Sequence, residues 1–329
     1  MISGRLWHAV AVAEIRRAWE PGTSSIPPAL ARNAVVAWGE AGRRYLDRLP
    51  DEIASVARDW ELALGVPFEM SFHWVCAVRR ADGVEAVLKL GVAGTIDNAR
   101  EVATLRHYDG VGAVRLLAYD LGRGALLLER AAPGTTATTK VADLDHIATA
   151  AIITVMHGLH RPLTASVDLP DLLSRDRKSF VEHLARYPGD DPFPRRLVVR
   201  ALRLLEDLSA DTTTRVVLHG DLHHDNVLRT ADRTPGWLAI DPHGVVGDPV
   251  AEVGAMLYNP DPPRRDSDLL ALVPARVEQL ADGLGVSEDR VVAWGFVQAV
   301  LSEVWTAEER GAPLTRAVDV ALALEPRLA

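Results

Sequence analysis

Val217-Leu-His-Gly-Asp-Leu-His-His-Asp-Asn-Val-Leu228 is the stretch on which the reading of this chain turns. Within it Asp221 and Asn226 stand five positions apart, a spacing that suits a short loop whose two ends face one cleft. A carboxylate at one end can accept or orient the proton of a substrate hydroxyl, and a carboxamide oxygen at the other can ligate magnesium. Twenty residues beyond Asp221, the strand-like run Trp237-Leu-Ala-Ile ends in Asp241-Pro-His-Gly and offers a second hard oxygen ligand beside Asn226. Magnesium takes few protein oxygens and completes its shell with water and nucleotide phosphates. The histidines of the loop raise other readings. His219, Asp221, His223, His224 and Asp225 suggest a zinc or di-metal hydrolase, but the chain carries no good partner cluster elsewhere. A polar loop between strands is the plainest alternative. We expect His219 to hold the loop, and His223, His224 and Asp225 to pack or hydrogen-bond within it.

Toward the N-terminus a second group of residues supports the same chemistry. Of the 36 basic residues only Lys89, Lys140 and Lys178 are lysines. Lys89 lies inside the apolar run Ala-Val-Leu-Lys-Leu, where it either snorkels at a strand edge or presents a compact charge to a phosphate. Glu101 falls one turn into the following helix. A strand lysine paired with a helix glutamate is held where it can reach nucleotide phosphates.

These motifs sit on a legible order of elements. Residues 1–66 read as helical with a Pro/Ser break at 21–28, and Pro50 is expected to start a new helix at its first turn. Ser-Phe-His-Trp-Val-Cys-Ala-Val and Val-Glu-Ala-Val-Leu-Lys-Leu read as strands around Ala-Asp-Gly, a hairpin signal. A helix is expected over 97–108 with Asp97 as its N-cap. Two further strands flank Leu-Gly-Arg-Gly at 121–124, and a connector follows at 132–136. Beyond it helical patterns fall near 141–160, 171–187, 194–210, 249–258, 266–283, 287–309 and 314–326, interrupted by short strands at Arg-Val-Val-Leu and Trp-Leu-Ala-Ile. The expected fold is therefore α+β and bilobal, a small β-rich N-lobe over 1–131 and a larger α-rich C-lobe over 132–329.

Composition narrows the function. The 329 residues are 48% hydrophobic and 25% charged, which excludes a largely disordered chain, a collagen-like fibre or a disulfide scaffold. The formal net charge of −9 argues against a general nucleic-acid binder, which needs positive charge to meet phosphates. It suits a cationic small molecule better. Cys76 is the single cysteine, so no internal disulfide forms, as in a reducing cytoplasm, and we expect it to be a buried strand residue. The N-terminal run is broken by His8, Glu14, Arg16 and Arg17 and is not read as a signal peptide. No stretch of ~18 apolar residues is present to span a bilayer. We expect a cytoplasmic protein acting on a small molecule, with no nucleic-acid, membrane or protein partner.

The chain resembles the aminoglycoside/hydroxyurea antibiotic-resistance kinase family, which includes the streptomycin 6-phosphotransferases. The resemblance is carried by Val87-Leu-Lys-Leu, Leu126-Leu-Leu-Glu-Arg, the loop quoted above, Trp237-Leu-Ala-Ile-Asp-Pro-His-Gly-Val-Val-Gly-Asp-Pro and Ala299-Val-Leu-Ser-Glu-Val-Trp-Thr-Ala-Glu-Glu. It runs from about residue 26 to the end. It implies a protein-kinase-like fold, ATP and Mg2+ as cofactors, and transfer of a phosphoryl group to a hydroxyl of a small molecule, an aminoglycoside such as streptomycin first among them. By that resemblance Asp221 is the catalytic base, Asn226 and Asp241 bind the metal, Lys89 contacts nucleotide phosphates and Glu101 orients it. The adenine is expected on backbone groups of Glu129 and Ala131.

The chain departs from the family pattern in its phosphate-covering loop, Glu69-Met-Ser-Phe-His-Trp-Val, which has no glycine. Ser71 supplies a hydroxyl there, while Phe72 and His73 are bulky. His243 stands where relatives carry lysine, and residues 1–25 have no counterpart. For a cationic acceptor the candidate partners are Glu303, Asp190, Asp191, Glu308 and Glu309. Glu303 leads because its helix is apolar on both sides and a buried carboxylate needs a partner. That partner is either the acceptor or an arginine of the same lobe. Rival readings are a kinase for hydroxyurea or a neutral sugar-like metabolite and, from another class, a nucleotide-binding pseudokinase sensor.

Overall fold

The computed structural model describes residues 26–68, 72–163, 166–234, 236–310 and 314–328. In chain order these form α1 (Pro28–Asp59), β1 (Ala63–Pro67), β2 (Trp74–Arg79), β3 (Glu85–Leu90), α2 (Ile96–Tyr108), β4 (Leu116–Asp120), β5 (Ala125–Glu129) and β6 (Pro133–Thr136). Then follow α3 (Val141–Leu159), α4 (Leu172–Arg186), α5 (Arg195–Ala210), β7 (Val216–Leu218), β8 (Val227–Thr230), β9 (Trp237–Ala239) and β10 (Val245–Gly247). The chain continues through α6 (Val253–Tyr258), α7 (Ser267–Ala271), α8 (Val273–Leu284), α9 (Glu288–Arg310) and α10 (Arg316–Leu324). The class is α+β, as expected. No helix among the described residues is long and apolar enough to cross a membrane.

The chain divides into two compact units. One holds the described residues up to Thr136 together with Leu228–His243, and the other holds Ala137–Val227 and the described residues from Gly244 onward. The sequence reading drew its boundary between residues 131 and 132. The division falls after Thr136 because the stretch read as a connector is strand β6, which pairs with β8 through Pro133↔Thr230 and Thr136↔Leu228. This sheet, ordered β6-β8-β9, brings a distant piece of chain into the first unit.

The first unit is built on an antiparallel sheet ordered β1-β2-β3-β5-β4. Alternation sends Trp74, Cys76 and Val78 of β2 and Ala86, Leu88 and Leu90 of β3 into one core with Leu49, Ile53 and Val56 of α1. Burying each such leucine or isoleucine side chain contributes about 1.5–3 kcal/mol. Cys76 is among them, and burial pushes its thiol up to about 12, an inert strand residue as expected. Three local expectations change. Pro50 does not start a helix: it lies inside α1, whose break is at Gly39 with φ +54. A left-handed φ costs glycine little, whereas Pro50 forgoes one backbone bond in a helix anchored on both sides by buried Tyr45, Leu49 and Ile53. Residues 63–66, read as helix, belong to the edge strand β1, paired with β2. The N-cap of α2 is Thr95 rather than Asp97. Asp97 sits in the first turn, where its charge meets the helix dipole.

The second unit packs α3, α4, α5, α6, α8 and α10 about one another and α9, whose Val291, Trp294, Val297, Leu301 and Val304 are all buried. The expected strand at 216–218 is β7, paired with β10 through Val217↔Val246. Strands β8 and β10, four and three residues long, carry no strand signal of their own in the sequence.

Tyr45 ties α1 to the sheet. Its hydroxyl donates to the Leu90 carbonyl at 2.8 Å and accepts from the Trp74 N–H at 3.0 Å, closing the end of the β2–β3 ladder, where Trp74 and Leu90 are paired. Tyr45→Phe removes that bridge and strands two buried backbone groups. It is expected to lower unfolding free energy by about 1–3 kcal/mol, read by urea denaturation.

Candidate active site

Lys89 sits on the face of β3 opposite Leu88 and Leu90, between Val75 of β2 and Leu126 of β5. It does not snorkel: it is 2% exposed. Its Nζ donates to Glu101 Oε2 at 2.7 Å and to Asp241 Oδ1. Glu101 belongs to the buried stripe of α2 that includes Asn98, Val102 and Leu105. Asp241 lies two residues past β9, in the left-handed region at φ +60 and before Pro242, a conformation that costs a non-glycine residue and persists where the surroundings hold it. Burial favours a neutral lysine, but Asp241 and Glu101 outweigh it and raise the Lys89 pKa above the ordinary range. Burial raises the Glu101 pKa despite Lys89. At Asp241 burial acts upward too, and the charge and hydrogen bond of Lys89 overcome it, leaving the carboxyl well below its usual range.

Beside this cluster His73 stacks on Trp38 of α1, ring centroids 5.7 Å apart. Ser71 lies outside the described residues. At the end of β5, the Glu129 N–H donates to the Arg115 carbonyl at 2.8 Å. Its carboxylate accepts from the Arg115 N–H and pairs with Arg233. The Glu129 side chain is thus engaged by protein, and the backbone of Ala131 follows two residues on.

In the second unit, the loop after β7 is organised by Glu252, a buried residue that sequence reasoning passed over. Its Oε2 accepts from the His219 N–H at 2.7 Å and its Oε1 from the Gly220 N–H at 2.9 Å, with His160 Nε2 at 3.6 Å. Burial opposes that charge, yet these partners hold Glu252 below the usual carboxylate range. Glu252 lies three residues beyond the Gly247-Asp-Pro motif. Asn226 donates its Nδ2 to the Asp221 carbonyl at 2.9 Å, which ties the two ends of the loop together. His219 Nδ1 accepts from the Asp221 N–H at 3.3 Å. His223 Nε2 stands 3.6 Å from Asp221 Oδ2, and Asp225 accepts from the Thr138 hydroxyl at 2.5 Å. His224 is fully buried and stays neutral through burial and then the Arg276 charge. Among the described residues no group of three or more His, Cys, Asp or Glu is arranged to hold a metal ion. Tyr258, at the end of α6, also escaped the sequence reading; burial and then the Asp221 charge keep its phenol protonated.

Lys89, Glu101 and Asp241 therefore come together in the first unit, and Asp221 and Asn226 in the second. Glu303 has no exposed surface, and its Oε1 accepts from both the N–H and the hydroxyl of Thr315, the N-cap of α10. Through Oε1 it caps that helix, while its Oε2 has no hydrogen-bond partner among the described residues and the Arg265 charge acts on it in the lowering direction. Asp190 is exposed and accepts from the Arg195 N–H at the start of α5. Glu308 is half-buried near the end of α9.

The family model for aminoglycoside/hydroxyurea antibiotic resistance kinases matches residues 64–310. A hydroxyurea phosphotransferase of Kitasatospora aureofaciens is 34% identical over 86% of this chain and 81% of its own length. A streptomycin 6-kinase of Streptomyces glaucescens is 31% identical over 91% and 96%. Among solved structures, the choline kinase LicA of Streptococcus pneumoniae superposes with a TM-score of 0.60 at 13% identity, covering 85% of this chain and 98% of that one, which shows a shared kinase-like fold. With three quarters of its length matched and its lysine, loop and Ile-Asp-Pro segments all inside the match, the chain belongs to the aminoglycoside/hydroxyurea antibiotic resistance kinase family.

Proposed function

We propose that this small-molecule kinase transfers the γ-phosphoryl group of ATP to a hydroxyl of a cationic antibiotic, an aminoglycoside such as streptomycin, in the cytoplasm. The observation that carries the kinase chemistry is the buried Lys89 held between Glu101 and Asp241. A cation fixed in this way has little freedom to lose on meeting phosphate oxygens, and Glu101 acts through it as a positioning residue. Asp221 is the base: its carboxylate, at the end of a loop fixed by Glu252 and Asn226, takes the proton of the acceptor hydroxyl as the oxygen attacks phosphorus. The adenine would use backbone groups at Glu129 and Ala131, with Ser71 near the phosphates.

Each proposed ligand offers a hard oxygen of the kind magnesium takes. The Asn226 NH2 is engaged by the loop backbone, leaving its carbonyl oxygen as the ligand atom, and Asp241 is a deprotonated hard-oxygen donor. When bound, the metal supplies charge neutralisation on the phosphate oxygens. Of the acids proposed for the acceptor, Asp190 and Glu308 retain exposed surface, whereas Glu303 is fully buried.

A second reading, hydroxyurea as acceptor, is favoured by the 34% identity to a hydroxyurea phosphotransferase. ADP release measured with streptomycin, hydroxyurea, neutral sugars and no acceptor separates the two. Phosphorylated streptomycin by mass spectrometry supports the first, phosphorylated hydroxyurea the second, and no turnover with intact ATP binding supports a sensor role.

Two substitutions test the assigned roles. Asp221→Asn is expected to lower turnover by about 10²–10⁴-fold while ATP affinity measured by calorimetry stays near wild type; turnover within about tenfold of wild type removes Asp221 from the base role. Asp241→Ala leaves Lys89 paired with Glu101 and is expected to abolish magnesium-dependent ATP binding. Unchanged magnesium dependence would put the ligand elsewhere.

A further inference from the structure

The loop expected to cover the nucleotide phosphates carries no glycine from Glu69 to Val75. Backbone amides approach phosphates closely only where side chains leave room, so this chain needs another donor there. His73 is that donor by position. It directly precedes β2, and since Trp74 pairs with Leu90, His73 stands opposite Gly91, two residues beyond Lys89. A Cβ on Gly91 would lie 3.0 Å from the His73 ring and 2.8 Å from Asn98 Oδ1; the bare glycine is what lets the imidazole lie over the end of β3.

Resting on the reading of Lys89 as a phosphate contact, we propose that His73, braced by Trp38, donates an imidazole N–H to a phosphate oxygen of the bound nucleotide and so does the work of a glycine-rich loop. The ring is oriented before any ligand arrives. Trp38 lies against it with planes 30° apart, and Phe72 meets the same indole edge-on at 6.2 Å. Preorganisation of this kind lowers the ordering cost of binding. The ring is half-buried, and among the described residues no hydrogen bond engages its nitrogens. The charged and titratable groups around it are Lys89, Asp241 and His243. An imidazole keeps at least one N–H donor whether neutral or protonated.

Calorimetry with ATP, ADP and adenosine on the full chain tests this. His73→Ala is expected to weaken ATP and ADP about tenfold or more, the scale of one hydrogen bond to a charged group, with adenosine binding unchanged. His73→Asn, which keeps a donor, is expected to recover part of the loss, and Trp38→Leu to reproduce a smaller share of it. Wild-type ATP affinity in His73→Ala, with Lys89→Arg weakened, overturns the inference alone. An equal loss for ATP and adenosine in both His73 variants, accompanied by a lower melting temperature, makes the stack structural and also overturns it. ATP affinity untouched in Lys89→Arg as well removes the nucleotide reading beneath it.

Discussion

One buried ammonium organises the first unit. Lys89 is nearly inaccessible, and a cation so placed is tolerated only when opposite charges meet it at hydrogen-bond distance. Glu101 arrives from a helix after the strand, and Asp241 from more than 150 residues away. The pairing joins the β6-β8-β9 sheet in tying Leu228–His243 to the first unit. It also explains the left-handed backbone at Asp241, a local cost offset by an ion pair. Removing either carboxylate would leave a buried charge incompletely compensated, a defect of about 3–5 kcal/mol in comparable buried pairs.

The second unit applies the same physics to neutral groups. Glu252 gives one oxygen to each of two successive backbone N–H groups just before Asp221. Charge-assisted bonds of this kind are stronger and shorter than neutral ones, so the backbone that delivers the Asp221 carboxylate is fixed from behind. Asn226 fixes it from the other end through the Asp221 carbonyl. In both units the residues that hold the chemistry in place are as informative as those that perform it.

Glu303 shows how far an apolar helix face can be read. Its neighbours Val300, Leu301 and Val304 rightly imply burial, and burial raises its pKa. The partner that the fold supplies to its Oε1 is the start of α10. A helix N-terminus satisfies a carboxylate with backbone donors, and nothing near Glu303 in the chain distinguishes that partner from the alternatives.

The sequence by itself determined the class of the fold, the lysine strand, the glutamate helix, the loop from Asp221 to Asn226 and the Asp241 turn. Each is encoded by spacing within a few residues, where alternation, helical period and turn chemistry act directly. Tertiary structure alone decided what depends on contacts between distant segments. It turned a connector into β6, carried Pro50 through a helix that bends at Gly39, started α2 at Thr95 and set Trp38 against His73. It also gave Glu252 its two N–H groups and Glu303 its cap. Short strands and single polar side chains have no stability of their own. They take their form from whichever distant partner satisfies their hydrogen bonds or buries their apolar face, and that partner is named only once the chain has folded.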